Sequence, residues 1–304
     1  MPLLKLSTLA PWHNFRLLGK PKEQTSALKL SDLSNLSATS RYRHIQSLHE
    51  NNDRRSPDML AGALMTPAER KQCYRLNFLS LMRMRKNPYY YYLVARTKFY
   101  DQLLLDAIAS GVRRVLIVGA GFDTRLYRFG GHLAAQGVEV AECDQPGAVT
   151  IKEKLAKTLP YSNRVRYMSA DLNQPETWNN LSDWLDAGDA HPALVLAEGV
   201  SPYVERGSFI KFLTDLASLM PSGSWLAYDF KQRGVADNFG VTGDIPSPYR
   251  LPLDEEFIKN QHSSIGFKHA ALITSMALMQ TYVPSWNEEV SPLFHEDALV
   301  QVRC

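Results

Sequence analysis

The spacing of apolar residues divides the chain into two regions. Up to residue 110, apolar side chains recur at the intervals of amphipathic helices. Thr66-Pro67-Ala68-Glu69 begins one helix with a capping threonine, a proline at the first helical position and a glutamate at the third. The sequence therefore predicts an N-terminal helical cap and lead-in over residues 1–110, with helices at 26–36, 66–86 and 89–109 and a further helix start at Pro57.

After residue 110, short apolar runs alternate with amphipathic stretches. Val115 to Val118 has no polar alternation, as expected for a central strand covered on both faces. Strands are predicted at 115–118, 138–144, 165–170, 193–197, 224–230, 267–274 and 298–302. Helices are predicted at 146–159, 176–185, 206–220 and 254–261.

This alternation predicts an α/β fold, a doubly wound, mostly parallel, seven-stranded Rossmann-like sheet. Residues 111–304 would form its core. The segment at 231–253 is rich in Gly, Pro and Asp, and a lid or substrate insertion is expected around 231–265.

Composition favours a soluble protein of a reducing compartment. The chain has 304 residues and only three cysteines, with no Cys-x-x-Cys pair, which argues against disulfides and structural zinc. It contains no apolar run of about 18 residues, so no transmembrane helix is expected. The first 25 residues lack the apolar core of a signal peptide. A cytoplasmic location is therefore predicted, with no membrane partner and no metal.

The small net charge hides an asymmetry. Residues 1–100 hold 17 Lys and Arg against 6 Asp and Glu, a surplus of 11, and the remaining 17 against 25 reduce this to +3. A basic first third is compatible with an acidic substrate, with nucleic acid or with a solvated helical face. Tyr89 to Tyr92 lie beside Arg83 and Arg85, yet four successive helical residues point in four directions, so nucleic-acid binding is not favoured.

The turn after the first predicted strand carries the strongest chemical signal. Gly119 and Gly121 allow a tight turn and close approach of a ligand to the backbone. A dinucleotide fingerprint would continue with a third glycine, but Thr124 stands there. Asp123 and Thr124 stand at the predicted helix start, where their side chains can cap free amides. The Asp123 carboxylate also repels a pyrophosphate and can receive an ammonium group. The loop therefore favours S-adenosylmethionine over a nicotinamide dinucleotide.

Acidic residues follow three more predicted strands. In open α/β sheets, ligands bind outside the carboxyl ends of the strands. Asp144 can accept hydrogen bonds from ribose hydroxyls, and Asp171 from an adenine amino group while Leu172 packs on the ring. Glu198 can face an amino group or line the acceptor pocket. Four strand ends with ligand groups indicate a cofactor site.

The same segments resemble the leucine carboxyl methyltransferase family. The resemblance runs from about residue 96 to 230 and is carried by the motifs at 118–125, 142–146, 170–172 and 196–203. It implies a class I O-methyltransferase that uses S-adenosyl-L-methionine and releases S-adenosyl-L-homocysteine. Val200-Ser-Pro-Tyr203 is similar to bacterial members of secondary metabolism.

The resemblance also implies roles for individual residues. Arg96 would pair with the methionine carboxylate, and Tyr203 would lie beside the acceptor, these two forming the catalytic pair. Arg41 is a weaker match to a basic residue that serves the same carboxylate. The implied cofactor-binding residues are Arg96, Gly119, Gly121, Asp123, Asp144, Asp171, Leu172 and Glu198.

The expected function is methylation of a carboxylate or an acidic hydroxyl of a small natural product such as a polyketide or peptide. No histidine lies in a recognisable motif, and a carboxylate acceptor needs no general base. The alternatives are methylation of a protein or peptide C-terminal carboxylate or of a tRNA base, and two proteins of another class: an NAD(P)-dependent oxidoreductase and a non-catalytic binding module with a vestigial fold. The acceptor is expected to be acidic, and a homodimer is possible.

Overall fold

A single sheet forms the centre of the protein. The computed structural model describes residues 30–186, 191–235 and 249–304. Eight strands form the described sheet, seven in the order β3-β2-β1-β4-β5-β8-β7, with β6 beside β5. They are β1 (Arg114–Val118), β2 (Glu139–Asp144), β3 (Val165–Ser169), β4 (Ala193–Ala197), β5 (Trp225–Gln232), β6 (Arg250–Leu251), β7 (His269–Thr274) and β8 (Asp297–Arg303).

Strand directions confirm the predicted topology. Strands β1 to β6 run parallel to one another, whereas β8 is antiparallel to both β5 and β7. Because the chain moves outward from β1 to β3 and then returns to β4, the carboxyl ends of β1 and β4 border the crevice where ligands bind in such sheets. The predicted doubly wound, mostly parallel, seven-stranded sheet is confirmed, and the two-residue β6 is an addition.

Helices cover both faces of the sheet. Alternate residues of β1 face opposite layers: Val115 and Ile117 pack in one hydrophobic cluster, and Leu116 and Val118 in the other. The described helices are α1 (Leu30–His49), α2 (Pro67–Tyr74), α3 (Phe78–Arg85), α4 (Pro88–Ala109), α5 (Arg125–Arg128), α6 (Gly130–Ala135), α7 (Pro146–Ala156), α8 (Asn179–Leu185), α9 (Arg206–Leu219), α10 (Glu255–Ile265) and α11 (Ser275–Tyr282).

The N-terminal helices share a core with the sheet. Ile45 of α1 and Met84 of α3 belong to the same hydrophobic cluster as Val115. The four consecutive tyrosines at 89–92 are each at most 3% exposed. Their rings pack in this cluster and therefore do not offer a surface for stacking nucleobases. The domain boundary at residue 110 remains a prediction.

Two predictions about the N-terminal helices are wrong. The helix expected over 66–86 is divided into α2 and α3, because the Asn77 side chain accepts a hydrogen bond from the Ser80 amide at 2.9 Å and starts a new helix. No helix begins at Pro57, which is followed by a turn and a short 3-10 helix, Ala61–Leu64.

Other boundaries shift without changing the architecture. Helix α1 extends to His49, well beyond the predicted end at residue 36. The rest of that prediction, residues 26–29, and residues 236–248 of the predicted insertion lie outside the described residues.

Several features are missing from the described part of the chain. None of its helices is both long and apolar enough to span a bilayer. None of its groups of histidine, cysteine and acidic residues could hold a metal ion. Cys73 and Cys143 are buried free thiols, and Cys304 is half-buried.

The Asn77 cap yields a first prediction. We expect Asn77→Ala to lower the free energy of unfolding by about 1 kcal/mol, since the first amides of α3 lose their acceptor. Asn77→Ser restores a capping oxygen and is the matched control. Urea denaturation measures both, and equal stabilities of the two variants would show that the cap does not set the start of α3.

Candidate functional site

Gly119 and Gly121 form the turn after β1. Their φ angles are +61° and +41°, in the left-handed region that favours glycine. A Cβ atom on Gly119 would lie 2.4 Å from Cγ2 of Val200, in the turn after β4. The two turns are therefore in close contact, and only glycine fits at position 119.

Asp144 connects the end of β2 to this turn. Its Oδ2 accepts a hydrogen bond from the Gly121 amide at 2.7 Å, and its Oδ1 accepts one from the Gln145 amide at 2.7 Å. Burial raises the pKa of the Asp144 carboxyl, although both amides favour the charged form. The structure thus brings Gly121 and Asp144, two of the predicted site residues, into direct contact.

Asp171 and Leu172 follow β3 at the same edge. Leu172 is buried in the second hydrophobic cluster. Asp171 Oδ1 accepts a hydrogen bond from the Asn173 amide at 3.0 Å, and the Asn173 side chain donates to the Tyr203 carbonyl at 3.2 Å. Asn173 therefore links the end of β3 to the segment that carries Tyr203. Burial raises the pKa of the half-buried Tyr203 phenol.

Arg96 of α4 is buried under the ends of β4 and β5. Its Nε donates to Glu198 at 3.0 Å, one terminal nitrogen donates to Asp229 at 2.8 Å, and the other donates to the Tyr89 hydroxyl at 3.0 Å. All of its nitrogens therefore have a partner on the protein. The predicted site residues Arg96 and Glu198 lie together.

Arg125 forms the second half of the same arrangement. It pairs with Asp101 at 2.9 Å, with the second carboxylate oxygen of Glu198 at 2.7 Å and with Asp123. Burial alone would raise the pKa of Asp123, but Arg125 lowers it to about 2. Burial would likewise raise the pKa of Glu198, but Arg125 and Arg96 hold this pKa below its ordinary value.

These contacts belong to one larger set of buried charges. Arg43 donates to Asp58 at 2.8 Å and to the Phe122 carbonyl at 2.8 Å, and Arg128 pairs with Asp101 at 2.7 Å. We call the set the buried ion-pair cluster; it comprises Arg43, Asp58, Arg96, Asp101, Asp123, Arg125, Arg128, Glu198 and Asp229. It connects the N-terminal helices with the glycine turn and the ends of two strands.

The turn residues before α5 behave differently from each other. Asp123 Oδ1 accepts a hydrogen bond from the Arg125 amide at 2.6 Å, as predicted for a capping side chain. The Thr124 side chain does not cap; its hydroxyl donates to Asp58 at 2.5 Å. The expectation that both side chains cap free amides is therefore correct only for Asp123.

The basic residue that reaches the turn from α1 is Arg43. Arg41 instead donates to the Gln72 side chain of α2 at 3.2 Å, away from the glycine turn. Because residues two apart on a helix point in different directions, the sequence motif around Arg41 did not show which arginine enters the site.

Asp229 is the main site residue that the sequence interpretation missed. Its Oδ1 accepts from the Gly199 amide at 2.7 Å and its Oδ2 from Arg96. Burial raises its pKa to about 6, and Arg96 opposes this shift. Asp229 lies within β5 near its carboxyl end, so the criterion that selected Asp144 and Glu198 also applies to it.

A second buried ion pair, between Lys152 and Glu142, contacts the glycine turn. Lys152 of α7 pairs with Glu142 at 2.8 Å and donates to the Ala120 carbonyl at 3.3 Å. The Tyr127 hydroxyl donates to Glu142 at 3.0 Å. Burial raises the pKa of Glu142 to about 7, although Lys152 favours its charged form. A small cavity adjoins this pair and is also lined by Gly121 and Asp144.

The family assignment follows from a comparison with known families. Residues 37–217 match the model of the leucine carboxyl methyltransferase family. The chain belongs to this family. The matched range contains nearly the whole buried ion-pair cluster and every predicted site residue, whereas Asp229 lies beyond its end.

Relatives in sequence carry compatible names. A Parafrankia protein named as a candidate S-adenosyl-L-methionine-dependent methyltransferase is 36% identical over 151 residues, which cover 48% of this chain and 46% of the relative. A similarly named protein of Streptomyces avermitilis is 28% identical over 159 residues, or 52% and 55% of the two chains. The matches thus span about half the length of these relatives.

Solved structures support the fold. A Thermobifida fusca protein described as a candidate methyltransferase superimposes with a TM-score of 0.51 at 15% identity, covering 88% of this chain and 97% of that chain. A DUF574 family protein from Streptomyces avermitilis gives a TM-score of 0.50 at 16% identity over 88% and 96%.

A double-mutant cycle on the free energy of unfolding tests the contact between Gly119 and Val200. Gly137 has a similar φ of +65°, but a Cβ there would meet no atom within 4 Å. We expect Gly119→Ala to lower the free energy of unfolding by about 1–3 kcal/mol more than Gly137→Ala does. In a Val200→Ala background, which removes the clashing methyl groups, the two glycine substitutions should have equal effects. Equal effects in the natural background would contradict the close contact.

The raised pKa of Glu142 predicts a pH dependence. A carboxyl whose folded pKa exceeds its unfolded pKa stabilises the fold at low pH, and this contribution is lost as the pH rises through about 7. We expect the free energy of unfolding to fall between about pH 5 and about pH 7.5, and Glu142→Gln to abolish the part of this fall that Glu142 causes. Chemical denaturation across this range measures both proteins. Identical slopes would show that Glu142 titrates normally.

Proposed function

We propose that the protein is a methyltransferase that uses S-adenosyl-L-methionine. Family membership, the names of the relatives and the glycine turn support this proposal together. The carboxylates at the ends of β1, β2, β4 and β5 are its structural basis. The resemblance assigns the methionine end to Arg96 and Asp123, the ribose to Asp144, and the adenine to Asp171 and Leu172.

The charge of the buried ion-pair cluster fits this cofactor. Four arginines face five carboxylates, so the cluster has a net charge of −1 when all members are ionised. S-adenosylmethionine has a net charge of +1, since its sulfonium and ammonium groups outweigh its carboxylate. A dinucleotide pyrophosphate is anionic and would meet the carboxylate of Asp123. The cluster therefore favours the methyl donor over NAD(P).

Binding would require an exchange of ion pairs. Arg96 and Asp123 both have protein partners, and the cavity beside Gly121 is smaller than the roughly 300–1,000 Å³ of an ordinary ligand site. Arg96 would release Glu198 or Asp229 to accept the carboxylate of the cofactor. Asp123 would in turn leave Arg125 for the ammonium group. Glu198 and Arg125 would each keep another partner in the cluster, whereas Asp229 would keep only its hydrogen bond from the Gly199 amide. Release of Glu198 therefore leaves fewer unpaired buried charges.

We infer that the acceptor is a carboxylate or an acidic hydroxyl of a small molecule such as a polyketide or peptide. The cofactor supplies an electrophilic methyl group, and the protein must orient the acceptor and exclude water. Burial raises the pKa values of Tyr89 and Tyr203, which makes both phenols poor bases at neutral pH. The carboxylates of the cluster are paired with arginines. An acceptor that is already anionic needs no base, and this observation supports O-methylation.

Tyr203 and Arg96 are the proposed orienting groups for the acceptor. The basic residues of the N-terminal region are compatible with a protein C-terminal carboxylate as a second candidate acceptor. A tRNA base has less support, because the four tyrosines at 89–92 are buried.

Calorimetric titration tests the cofactor. We expect binding of S-adenosylmethionine and S-adenosylhomocysteine, weakened tenfold or more, about 1.4 kcal/mol, by Asp144→Ala. Glu153→Ala, which removes an exposed carboxylate of α7, is the control. Absence of binding by the natural protein would refute the methyltransferase proposal. Binding of NADH instead would support the oxidoreductase.

The acceptor needs a separate assay. With methyl-labelled cofactor and a panel of carboxylic acids and phenols, we expect labelled product from acidic acceptors. A methyl ester releases labelled methanol in mild base, whereas ethers and amines retain the label. Cofactor binding with label transfer only to amines or carbon would contradict O-methylation while leaving the cofactor assignment intact.

A further inference from the structure

The outer surface of α2 and α3 exposes large apolar side chains. Phe78 and Leu79 are 70% and 68% exposed, and Tyr74 is 62% exposed. Met82 lies one helical turn beyond Phe78 and is also exposed. Clustered exposure of this kind marks an interaction site, because scattered single residues are the normal pattern.

Two cations accompany these side chains. The side chains of Arg75 and Arg83 are exposed and form no hydrogen bond or ion pair within the described ranges. We call the set Tyr74, Arg75, Phe78, Leu79, Met82 and Arg83 the α2–α3 surface. None of the residues from 70 to 86 is acidic. At one edge the surface is limited by Lys86, which donates to the Glu289 carbonyl at 3.2 Å.

Helix α3 has one buried face and one exposed face. Ser80, Leu81 and Met84 are buried against the rest of the protein. The outward positions 78, 79, 82 and 83 fall on the opposite side of the helix and are apolar or cationic. Asn77 and the Thr66-Glu69 capping box fix the starts of α3 and α2, so the local hydrogen bonds hold this orientation.

Charge complementarity selects among the candidate occupants. A second copy that docked the same surface across a two-fold axis would place Arg75 and Arg83 near the same cations of the first. Residues 1–29 of the chain itself have five Lys and Arg against one Glu, so they are also cationic. Neither occupant complements the surface.

We propose that the α2–α3 surface docks on an anionic lipid bilayer. A bilayer surface offers phosphate groups to Arg75 and Arg83 and an apolar layer to Phe78, Leu79 and Met82 at the depth that an interfacial helix reaches. The apolar side chains project outward from a convex helix, and a bilayer accepts them without a matching groove. An acidic protein would need such a groove. The lack of a membrane-spanning segment in the described part of the chain predicts no integral membrane partner, but it does not argue against docking at a bilayer surface.

Vesicle sedimentation with the full chain tests this proposal. We expect binding to vesicles of phosphatidylcholine mixed with phosphatidylglycerol, weak binding to pure phosphatidylcholine, and release as salt is raised. Phe78→Ser and Arg83→Glu should each weaken binding by about tenfold. Met276→Ser and Lys154→Glu remove an exposed apolar side chain and an exposed cation elsewhere, and they should leave binding unchanged.

Each alternative gives a different result. Absence of binding to the anionic vesicles, or equal loss in the two control variants, would overturn the proposal. Binding to poly-L-glutamate that is as tight as binding to vesicles, and insensitive to Phe78→Ser, would assign the surface to acidic proteins. A dimer in light scattering that Phe78→Ser dissociates would assign it to a second copy. Circular dichroism of every variant separates these outcomes from misfolding.

Discussion

The double pairing of Glu198 with Arg96 and Arg125 is the interaction on which the arrangement of the site depends. Each arginine comes from a different element: α4 carries Arg96, and α5 begins with Arg125. Removal of such charges from water costs several kcal/mol per ion, and only close partners offset it. The cluster therefore requires that α4, the glycine turn and the end of β4 occupy one fixed arrangement. Loss of Arg96 would leave the buried Asp229 carboxylate without its ion-pair partner.

The glycine turn is held from three directions. The Val200 side chain lies so close to position 119 that only a glycine fits there. Asp144 accepts a hydrogen bond from the Gly121 amide, and Lys152 donates one to the Ala120 carbonyl. These contacts come from the turn after β4, the end of β2 and helix α7. A cofactor that binds at this turn therefore meets a backbone already in position, while the side chains of the cluster must exchange partners.

The N-terminal helices contribute to the site as well as to the core. Arg43 of α1 donates to the Phe122 carbonyl in the glycine turn, and Asp58 accepts from both Arg43 and Thr124. The helices α2 and α3 pack outside this layer and expose the α2–α3 surface. The region predicted as a cap thus has an inner side that completes the site and an outer side available for docking.

The fold class and most of the strand-end residues follow from local patterns in the sequence. Local apolar periodicity specifies strands and helices, and consecutive strand–helix units can connect in few ways, so the parallel sheet and its carboxyl edge were predictable. Gly119, Asp144 and Glu198 were recognisable because each directly follows a strand or ends one, and Gly121 because it completes the Gly-x-Gly turn.

Tertiary structure alone decided which charges meet. Asp58 lies in an irregular loop, and Asp101 is one of several polar residues on α4, so no local pattern marks either residue. Arg43 rather than Arg41 reaches the glycine turn because the rotation of α1 against its neighbouring helices sets the direction of each side chain. Asp229 pairs with Arg96 across 133 positions of sequence. Such pairings depend on the packing of distant elements, and the sequence pattern contains no direct record of that packing.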